Sequence, residues 1–254
     1  MHPAVLITGA ARRIGAVLAR RFGAAGWHVV IHHGDSHDEA GAVAAALPSA
    51  EVVACDLRDL PAAVAMVDSL AERLPDWRML VNCAAVFTPD PGDILDPAVF
   101  DEAMRVNAAA PVRLAQAFFA AAQSAEGRTA IHFLDQKIAN PNPDFLSYSL
   151  AKHALAGAVR LQAMQQQGDP HDRVYGLAPG AMLPSHDQHA AEHEVSGRMN
   201  LLARLTDPGE LAEAAIFLAS GALASGETLF VDSGQHLLAQ PRDVLYLARG
   251  LTLA

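Results

Sequence analysis

Scarcity of cysteine, of charge and of long apolar runs limits what this chain can be. The two cysteines, Cys55 and Cys83, show no paired spacing, so we expect reduced, buried thiols and no disulfide. No apolar stretch long enough to span a bilayer stands clear of charged and turn residues, and no basic segment with an apolar core precedes the first strand. These features favour a cytoplasmic protein that does not insert into a membrane.

Basic residues are also in deficit. Lysine and arginine number 18 against 28 acidic residues, and the resulting net charge of −10 argues against a nucleic-acid-binding or anionic-membrane surface. Hydrophobic residues make up 52% of the chain, which is enough for a large core and too many for a disordered protein. We find no linker, repeat or low-complexity tract, so residues 1–254 are expected to form one domain.

Short apolar runs alternate with stretches of ten or more residues that have helical periodicity. This pattern predicts an α/β fold, a single-domain, doubly wound (Rossmann) parallel sheet of about seven strands with helices on both faces. Strands are predicted at 4–7, 27–32, 51–55, 79–82, 129–134, 173–177 and 228–232, and helices at 14–25, 36–47, 61–74, 97–106, 111–123, 145–167 and 208–219. The helix at 36–47 is expected to begin with a capping box between Ser36 and Glu39, and residues 181 to about 200 are expected to be irregular.

The first strand leads into a glycine turn that predicts an anion site. Gly9 begins the turn and Ile14 and Gly15 begin the following helix, whose free N–H groups and dipole face the turn and suit a pyrophosphate. Ala11 stands where a G-x-G-x-x-G pattern would have its second glycine, so the turn alone also fits an ordinary strand–turn–helix unit.

Tyr148 and Lys152 are the strongest chemical signal. Four residues apart at the start of a helix, they share one face, and a nearby ammonium lowers the pKa of a phenol toward working pH. Tyr148 would then donate a proton to a carbonyl or imine that receives hydride. The alternative is a tyrosine–lysine pair on a solvated helix face. Asn107, an amide in an apolar helical stretch, needs a partner or caps a kink before Pro111.

Thr8-Gly-Ala-Ala-Arg-Arg-Ile-Gly15 followed by Tyr148-x-x-x-Lys152 resembles the short-chain dehydrogenase/reductase family, from Thr8 to Gly234. Arg13 stands where that family usually has glycine, which resembles its pteridine reductases and dihydromonapterin reductases. The resemblance implies that Lys152 also holds the nicotinamide ribose, and that Asn107 supports a proton relay to that lysine. Tyr148, Lys152, Asn107 and Asp135 are therefore the predicted catalytic residues.

The resemblance also indicates a substrate, a reduced pterin. Asp135 stands where most of the family has serine, as in pteridine reductases. An ionised carboxylate there suits a substrate with N–H donors or shares a proton with Tyr148, and the alternative is a turn aspartate at a strand end. Phe87 matches the aromatic that stacks a pterin against the nicotinamide. The predicted substrate residues are Arg13, Phe87, Asp135 and Tyr148. Ala85 and Asp35 depart from the pteridine-reductase pattern, which expects serine and a basic residue there.

The end of the second strand favours NADP over NAD, with NAD still possible. An acid there would bind the ribose 2′-hydroxyl, and this chain has His33 instead. Arg12, Arg13 and Ser36 add charge or donors for a 2′-phosphate. The residues predicted to bind the cofactor are Gly9, Arg12, Arg13, Ile14, Gly15, His32, His33, Ser36, Asp56, Leu57, Asn82, Ala84, Tyr148, Lys152, Pro179, Gly180 and Met182.

Several expectations concern the remaining parts of the chain. His186, His189 and His193 recur at helical spacing, but acidic residues lie among them, and the family resemblance implies a substrate lid at about 183–205. We therefore expect a polar lid there and no metal site. Helices 111–123 and 145–167 are apolar on several sides, which with the family resemblance predicts a homotetramer or homodimer. The tail 235–254 either docks on a neighbouring subunit or forms the pocket wall.

Two other functions stay open at this stage. One is a carbonyl or alcohol dehydrogenase acting on a small ketone or hydroxy compound. The other is a non-catalytic dinucleotide-binding sensor.

Overall fold

A computed structural model describes residues 2–90, 92–166, 168–169, 171–185 and 187–252. In these ranges the strands form one parallel sheet in the order β3-β2-β1-β4-β5-β6-β7, which confirms the predicted fold class. The strands are β1 (Ala4–Ile7), β2 (His28–His33), β3 (Ala50–Ala54), β4 (Trp77–Asn82), β5 (Thr129–Phe133), β6 (Arg173–Pro179) and β7 (Thr228–Val231).

Helices cover both faces of the sheet because its strands are apolar on both sides. In β1, Val5 and Ile7 face one core while Ala4 and Leu6 face the other. The helices are α1 (Arg13–Ala24), α2 (His37–Ala45), α3 (Leu60–Arg73), α4 (Pro97–Met104), α5 (Ala110–Ala121), α6 (Leu146–Gln165), α7 (Ala190–Ser196), α8 (Pro208–Ala219) and α9 (Val244–Thr252). Helices α1, α2 and α8 pack on the first face, and α3, α5 and α6 pack on the second.

The strand order reverses between β1 and β4, and the crevice between their carboxyl ends is where such folds bind ligands. The Thr8 hydroxyl joins the two ends. It accepts the backbone N–H groups of Cys83 and Ala84, each at 3.0 Å. The floor of the crevice is therefore one hydrogen-bonded unit.

The two helices predicted at 97–106 and 111–123 are one continuous run. A π-helical turn (Arg105–Ala109) joins α4 to α5 and contains Asn107. Pro111 has no N–H to bond the carbonyl of residue 107, and a wider turn accommodates that missing bond.

Two local predictions are wrong. The segment expected to be irregular contains α7, whose first turn is fixed by a capping box in which the His189 N–H donates to the Glu192 carboxylate at 2.9 Å. Conversely, Ser36 makes no side-chain cap on α2, because its hydroxyl donates to the Asp35 carboxylate at 3.3 Å. Glu39 instead pairs with Arg12 at 2.6 Å.

Of the three histidines at helical spacing, two lie among the described residues, and only one of these is inside a helix. His189 precedes α7 as its N-cap, His193 lies within α7, and His186 lies outside the described residues. Within the described ranges, no three histidine, cysteine or acidic side chains are grouped closely enough to hold a metal ion. None of the helices described is long and apolar enough to cross a membrane.

Candidate active site

Two glycines shape the turn between β1 and α1. Gly9 has a positive φ of 67°, and a Cβ there would lie 2.9 Å from the Cα of Ala84. A Cβ on Gly15 would overlap the carbonyl of Gly9. The close approach of turn, helix and β4 therefore requires glycine at both positions.

The N-terminus of α1 is left without a side-chain cap. Arg12 is its N-cap in an extended conformation, and no acidic residue lies in the first turn, so the N–H groups there can bind an anion. Arg13 has a φ of 52°, a left-handed conformation that costs a residue with a side chain on the order of 1–2 kcal/mol. The guanidinium of Arg12 is already paired with Glu39.

His32 supports the turn from within the protein. Its Nδ1 accepts the Gly9 N–H at 3.2 Å, and its Nε2 donates to the Cys55 carbonyl at 3.0 Å, an assignment that fixes a neutral tautomer. Burial lowers the pKa of His32 to about 4. The predicted contact between His32 and the cofactor stays a prediction, while its contacts in the structure hold the turn.

His33 lies at the end of β2, where the sequence lacks the acid expected of an NAD-binding chain. The residue is buried, and neither ring nitrogen has a hydrogen-bond partner among the described residues. Its ring meets His37 edge-on with centroids 5.5 Å apart. Unpartnered buried nitrogens are costly unless a ligand completes them, so this position fits a group with hydrogen-bonding atoms.

Asp56 and Leu57 follow β3 on the same rim. Leu57 is buried, whereas Asp56 is exposed and pairs with Arg58 at 2.9 Å. Hydrogen bonds from Arg58 lower the pKa of Asp56, which is therefore an acceptor for a ligand amine.

The centre of the site is a hydrogen bond between two predicted catalytic residues. The Tyr148 hydroxyl donates to Oδ2 of Asp135 at 2.9 Å. Lys152, one turn further along α6, donates from Nζ to the Phe133 carbonyl at 2.6 Å, and its ammonium lies 5.5 Å from the centroid of the Tyr148 ring. Tyr148 and Lys152 are both buried.

Burial sets the proton affinities of this group. It raises the pKa of the Asp135 carboxyl, against the opposing charge of Lys137, and it lowers the pKa of Lys152 to about 8. Burial and the adjacent Asp135 raise the pKa of Tyr148 well above 10. The sequence predicted the opposite direction for Tyr148 from the charge of Lys152, which burial and the carboxylate of Asp135 outweigh.

Asn107 holds the segment that leads to Phe87. Its Nδ2 donates to the Val86 carbonyl at 2.9 Å, and its Oδ1 accepts the Val86 N–H at 2.8 Å. The donor and the acceptor of the amide both bond the backbone of Val86, so the side chain acts as a clamp on this residue. The predicted role of Asn107 in a relay to Lys152 stays a prediction.

Asn82 belongs to a buried polar chain that joins β4, β5 and the helices above them. Its Nδ2 donates to the Pro111 carbonyl and contacts Nδ1 of His132, each at 3.2 Å. His132 reaches Gln162 at 2.8 Å, and Gln162 donates to the Val112 carbonyl at 3.0 Å. These contacts give Asn82 a sheet-stabilising role, while its predicted contact with the cofactor stays a prediction.

Aromatic side chains form one wall of the site. Phe87 stacks on Phe145 at 4.1 Å between centroids and meets Tyr148 edge-on at 4.6 Å. Tyr246 lies roughly parallel to Phe145 at 5.8 Å, and Leu245 is buried in the same cluster. The tail thus packs on this aromatic cluster in its own chain, and its role as a pocket wall stays a prediction. Sequence reasoning missed Phe145, Leu245 and Tyr246; the apolar character of the tail was the only signal for the last two.

The loop after β6 completes the rim. A Cβ on Gly180 would lie 2.7 Å from the Cβ of Asp232, so the loop packs tightly on the segment after β7. The N–H of Ala181 donates to Gln235 at 2.8 Å, and Met182 is buried beside this turn. Pro179 ends β6 at the same edge of the sheet.

The sequence profile of the family described as enoyl-(acyl carrier protein) reductase matches residues 9–236. The chain belongs to the short-chain dehydrogenase/reductase family. As a member of this family it is an NAD(P)-dependent oxidoreductase. The family resemblance inferred from the turn and the Tyr148/Lys152 pair is therefore confirmed.

Short-chain reductases of several specificities are similar to this chain. The structure of FolM alternative dihydrofolate reductase 1 from Brucella canis, complexed with NADP, matches with a TM-score of 0.87 and 32% identity, over 95% of this chain and 96% of that one. Pteridine reductase 1 from Leishmania tarentolae is 27% identical over 92% of this chain and 96% of its own length. The 7alpha-hydroxysteroid dehydrogenase of Escherichia coli K12 is 29% identical over 90% of this chain and 92% of its own length.

Proposed function

We propose that the chain is an NADP-dependent reductase of a reduced pterin or a related flat nitrogen heterocycle. The observation that carries this proposal is the buried hydrogen bond between Tyr148 and Asp135 beside the face of Phe87. A carboxylate is a poor partner for a ketone oxygen, because neither can donate a proton to the other. It suits a ring with N–H donors. The similarity to a pteridine reductase and to an NADP-bound FolM protein supports the same assignment.

NADP supplies the hydride when it is bound. The uncapped N-terminus of α1 and the turn of Gly9 and Gly15 would hold its pyrophosphate. His33 carries two buried nitrogens without partners and would meet the adenosine ribose and its 2′-phosphate. Lys152 would hold the nicotinamide ribose.

Proton delivery depends on the charge of Asp135. While Asp135 is ionised, the Tyr148 hydroxyl is committed to it as donor. Protonation of Asp135 reverses this bond, because the carboxyl O–H can then donate to the phenol oxygen and leave the Tyr148 O–H free for the substrate. Burial raises the pKa of Asp135, so this protonated form is reached at a higher pH than for an exposed aspartate.

The wall limits where a ring can bind. Phe145 covers one face of Phe87, so a flat substrate would lie on the other face. Stacking of this kind contributes about 1 kcal/mol beyond burial. Arg13, in the turn at the start of α1, would bind ring acceptors or a phosphate.

The test is to follow NADPH absorbance with dihydrobiopterin, dihydromonapterin and dihydrofolate beside a panel of ketones. We expect turnover with at least one pterin, and a loss of about tenfold in kcat/KM when Phe87 becomes Ala. The competing function is reduction of a ketone or oxidation of a hydroxy compound, which Ala85 and the similarity to a hydroxysteroid dehydrogenase favour. Activity confined to ketones, unchanged in the Phe87→Ala variant, would replace the pterin assignment with that function.

A further inference from the structure

Two ion pairs join the C-terminal segment, residues 242–249, to the loop after β5. The segment supplies the base in one pair and the acid in the other. Arg242 donates from Nε to both carboxylate oxygens of Asp144, at 2.9 and 2.7 Å. The next residue, Asp243, accepts the ammonium of Lys137 at 2.7 Å. Each side of the contact carries one acid and one base, so a shift by one residue would oppose like charges. The register of the segment on the loop is thereby fixed.

Lys137 is the unusual member of these pairs, because it is almost fully buried with 3% exposure. Its ammonium donates to Oδ1 of Asn142 at 3.0 Å, to the Asp144 carbonyl at 3.1 Å and to Asp243. All three donors of the ammonium are used. Burial of a charge this well satisfied indicates a role in the interior, since a lysine that only tethers a surface segment can remain in water.

Lys137 contacts the acid of the active site through its backbone, and its buried ammonium acts on the same carboxyl through space. The backbone N–H of Lys137 donates to Oδ1 of Asp135 at 2.9 Å, while Oδ2 of the same carboxylate holds the Tyr148 hydroxyl. The titratable and charged groups that face the Tyr148–Asp135 pair come from its own loop, from α6, from the end of β4 and from the C-terminal segment; they are Lys137, Lys152, Cys83 and Asp243. Only Lys137 and Asp243 among these belong to the ion pairs that tie down the segment.

We propose that Lys137 and Asp243 are positioning residues of the active site, through which the C-terminal segment governs the proton that Tyr148 and Asp135 share. Lys137 favours the ionised form of Asp135, and Asp243 opposes an additional negative charge on the pair. The proposal deepens the reductase function above and rests on it only for the activity measurement. Direct titration of Asp135 needs no substrate.

The two charges predict shifts of opposite sign. Lys137→Met removes a positive charge beside Asp135, so the carboxyl should keep its proton to a pH about one unit higher. Asp243→Asn removes a negative charge while keeping the shape of the side chain, so the pair should lose its first proton at a lower pH. In the double variant the two effects should largely cancel. Loss of a purely mechanical tether would move both single variants in the same direction or in neither.

Arg242→Gln is the matched control, because it breaks the other ion pair of the same segment without changing a charge beside Asp135. Carboxyl-carbon NMR of aspartate-labelled protein, with Asp135 assigned from the Asp135→Asn variant, measures the titration. The pH profile of kcat should shift in the same directions. Equal shifts in Arg242→Gln and Asp243→Asn, or shifts of one sign in both charge variants, would overturn the proposal.

Three further outcomes are informative. If Lys137→Met does not fold, Lys137→Arg should retain the titration of the natural protein, and Asp243→Asn still carries the sign test. If the NMR shifts appear as expected but no pterin is reduced, the positioning role stands and the substrate assignment alone is wrong. If pterins are reduced and Asp135 titrates identically in all variants, the reductase function stands and the role of the segment is rejected.

Discussion

The Gly9 N–H donates to Nδ1 of His32, so the turn that would hold a pyrophosphate is supported by an imidazole that must remain neutral. His132 is held in the same way, within the polar chain above β5. Burial lowers the pKa of both histidines to about 4. Protonation of either ring would turn an acceptor into a donor that faces another donor.

These two histidines predict an acid-labile fold. Their pKa in the unfolded chain is about 6.5, so the unfolded state binds more protons between that value and about 4, and stability is lost as the pH falls through this window. Each histidine can contribute up to about 3 kcal/mol to this loss of stability. The free energy of unfolding, measured with urea between pH 8 and 4.5, should fall steeply as the pH falls, and His32→Asn should make this dependence on pH less steep. His171→Asn, at an exposed position, should leave the slope unchanged.

Arg13 offers a test that separates strain from function. Arg13→Gly removes a Cβ from a left-handed residue but adds chain entropy, so the free energy of unfolding should change by less than about 1 kcal/mol. Arg13→Ala keeps the strain and should be about 1 kcal/mol less stable than the glycine variant. Both lack the guanidinium and should lose activity to a similar extent. An active glycine variant would remove Arg13 from the site.

Tyr148→Phe should reduce turnover by at least a hundredfold, because it removes the proton donor and its link to Asp135. NADPH binding, followed by the fluorescence of the reduced nicotinamide, should survive, since Lys152 still bonds the Phe133 carbonyl. Near-normal turnover of an identified substrate would show that another group supplies the proton. Tight NADPH binding without oxidation by any pterin or ketone, already in the natural protein, would instead indicate the dinucleotide sensor.

Asn107 should behave as a clamp. Asn107→Ala leaves the N–H and the carbonyl of Val86 without partners and should destabilise the fold by about 1–3 kcal/mol. Asn107→Asp keeps the acceptor for the N–H but sets a carboxylate oxygen against the Val86 carbonyl, so it should be no more stable than the alanine variant. Thermal unfolding of the natural protein and the two variants measures this order of stability.

Exposed apolar side chains on α6 predict self-association. One face of α6 exposes Leu150, Leu161 and Met164, with 44%, 64% and 62% of each side chain accessible. An apolar face on a helix of this length suits contact with a second copy. We expect a homodimer or homotetramer that Leu161→Glu weakens, while Ile94→Glu, at an equally exposed loop position, leaves the mass unchanged. Light scattering that gives a monomer at micromolar concentration would reject the prediction.

The sequence predicted the sheet and the centre of the site because short stretches of neighbouring residues determine both. Four-residue apolar runs such as Ala4–Ile7, too short for a helix and followed by a glycine turn, indicate buried strands. Tyr148 and Lys152 share a face because they lie four residues apart in a helix. What it missed depends on contacts between distant residues. Burial and the adjacent Asp135 raise the pKa of Tyr148, and ion pairs of the neighbouring Arg242 and Asp243 fix the position of Tyr246. Helix α7 was missed because its polar sequence carries no hydrophobic periodicity.

The hydroxyl of Thr8 binds the backbone at the end of β4 twice, so the two halves of the sheet cannot separate beneath the ligand. Arg249 joins α7 and α9 by contacts to Glu192 and Asp187, and we expect substrates to enter and leave past these helices, where the lid is predicted. The fixed floor of the crevice and the helices α7 and α9 would then have separate functions. A new substrate preference is best engineered by replacing α7 and α9 while leaving residues 4–15 and 77–86 unchanged.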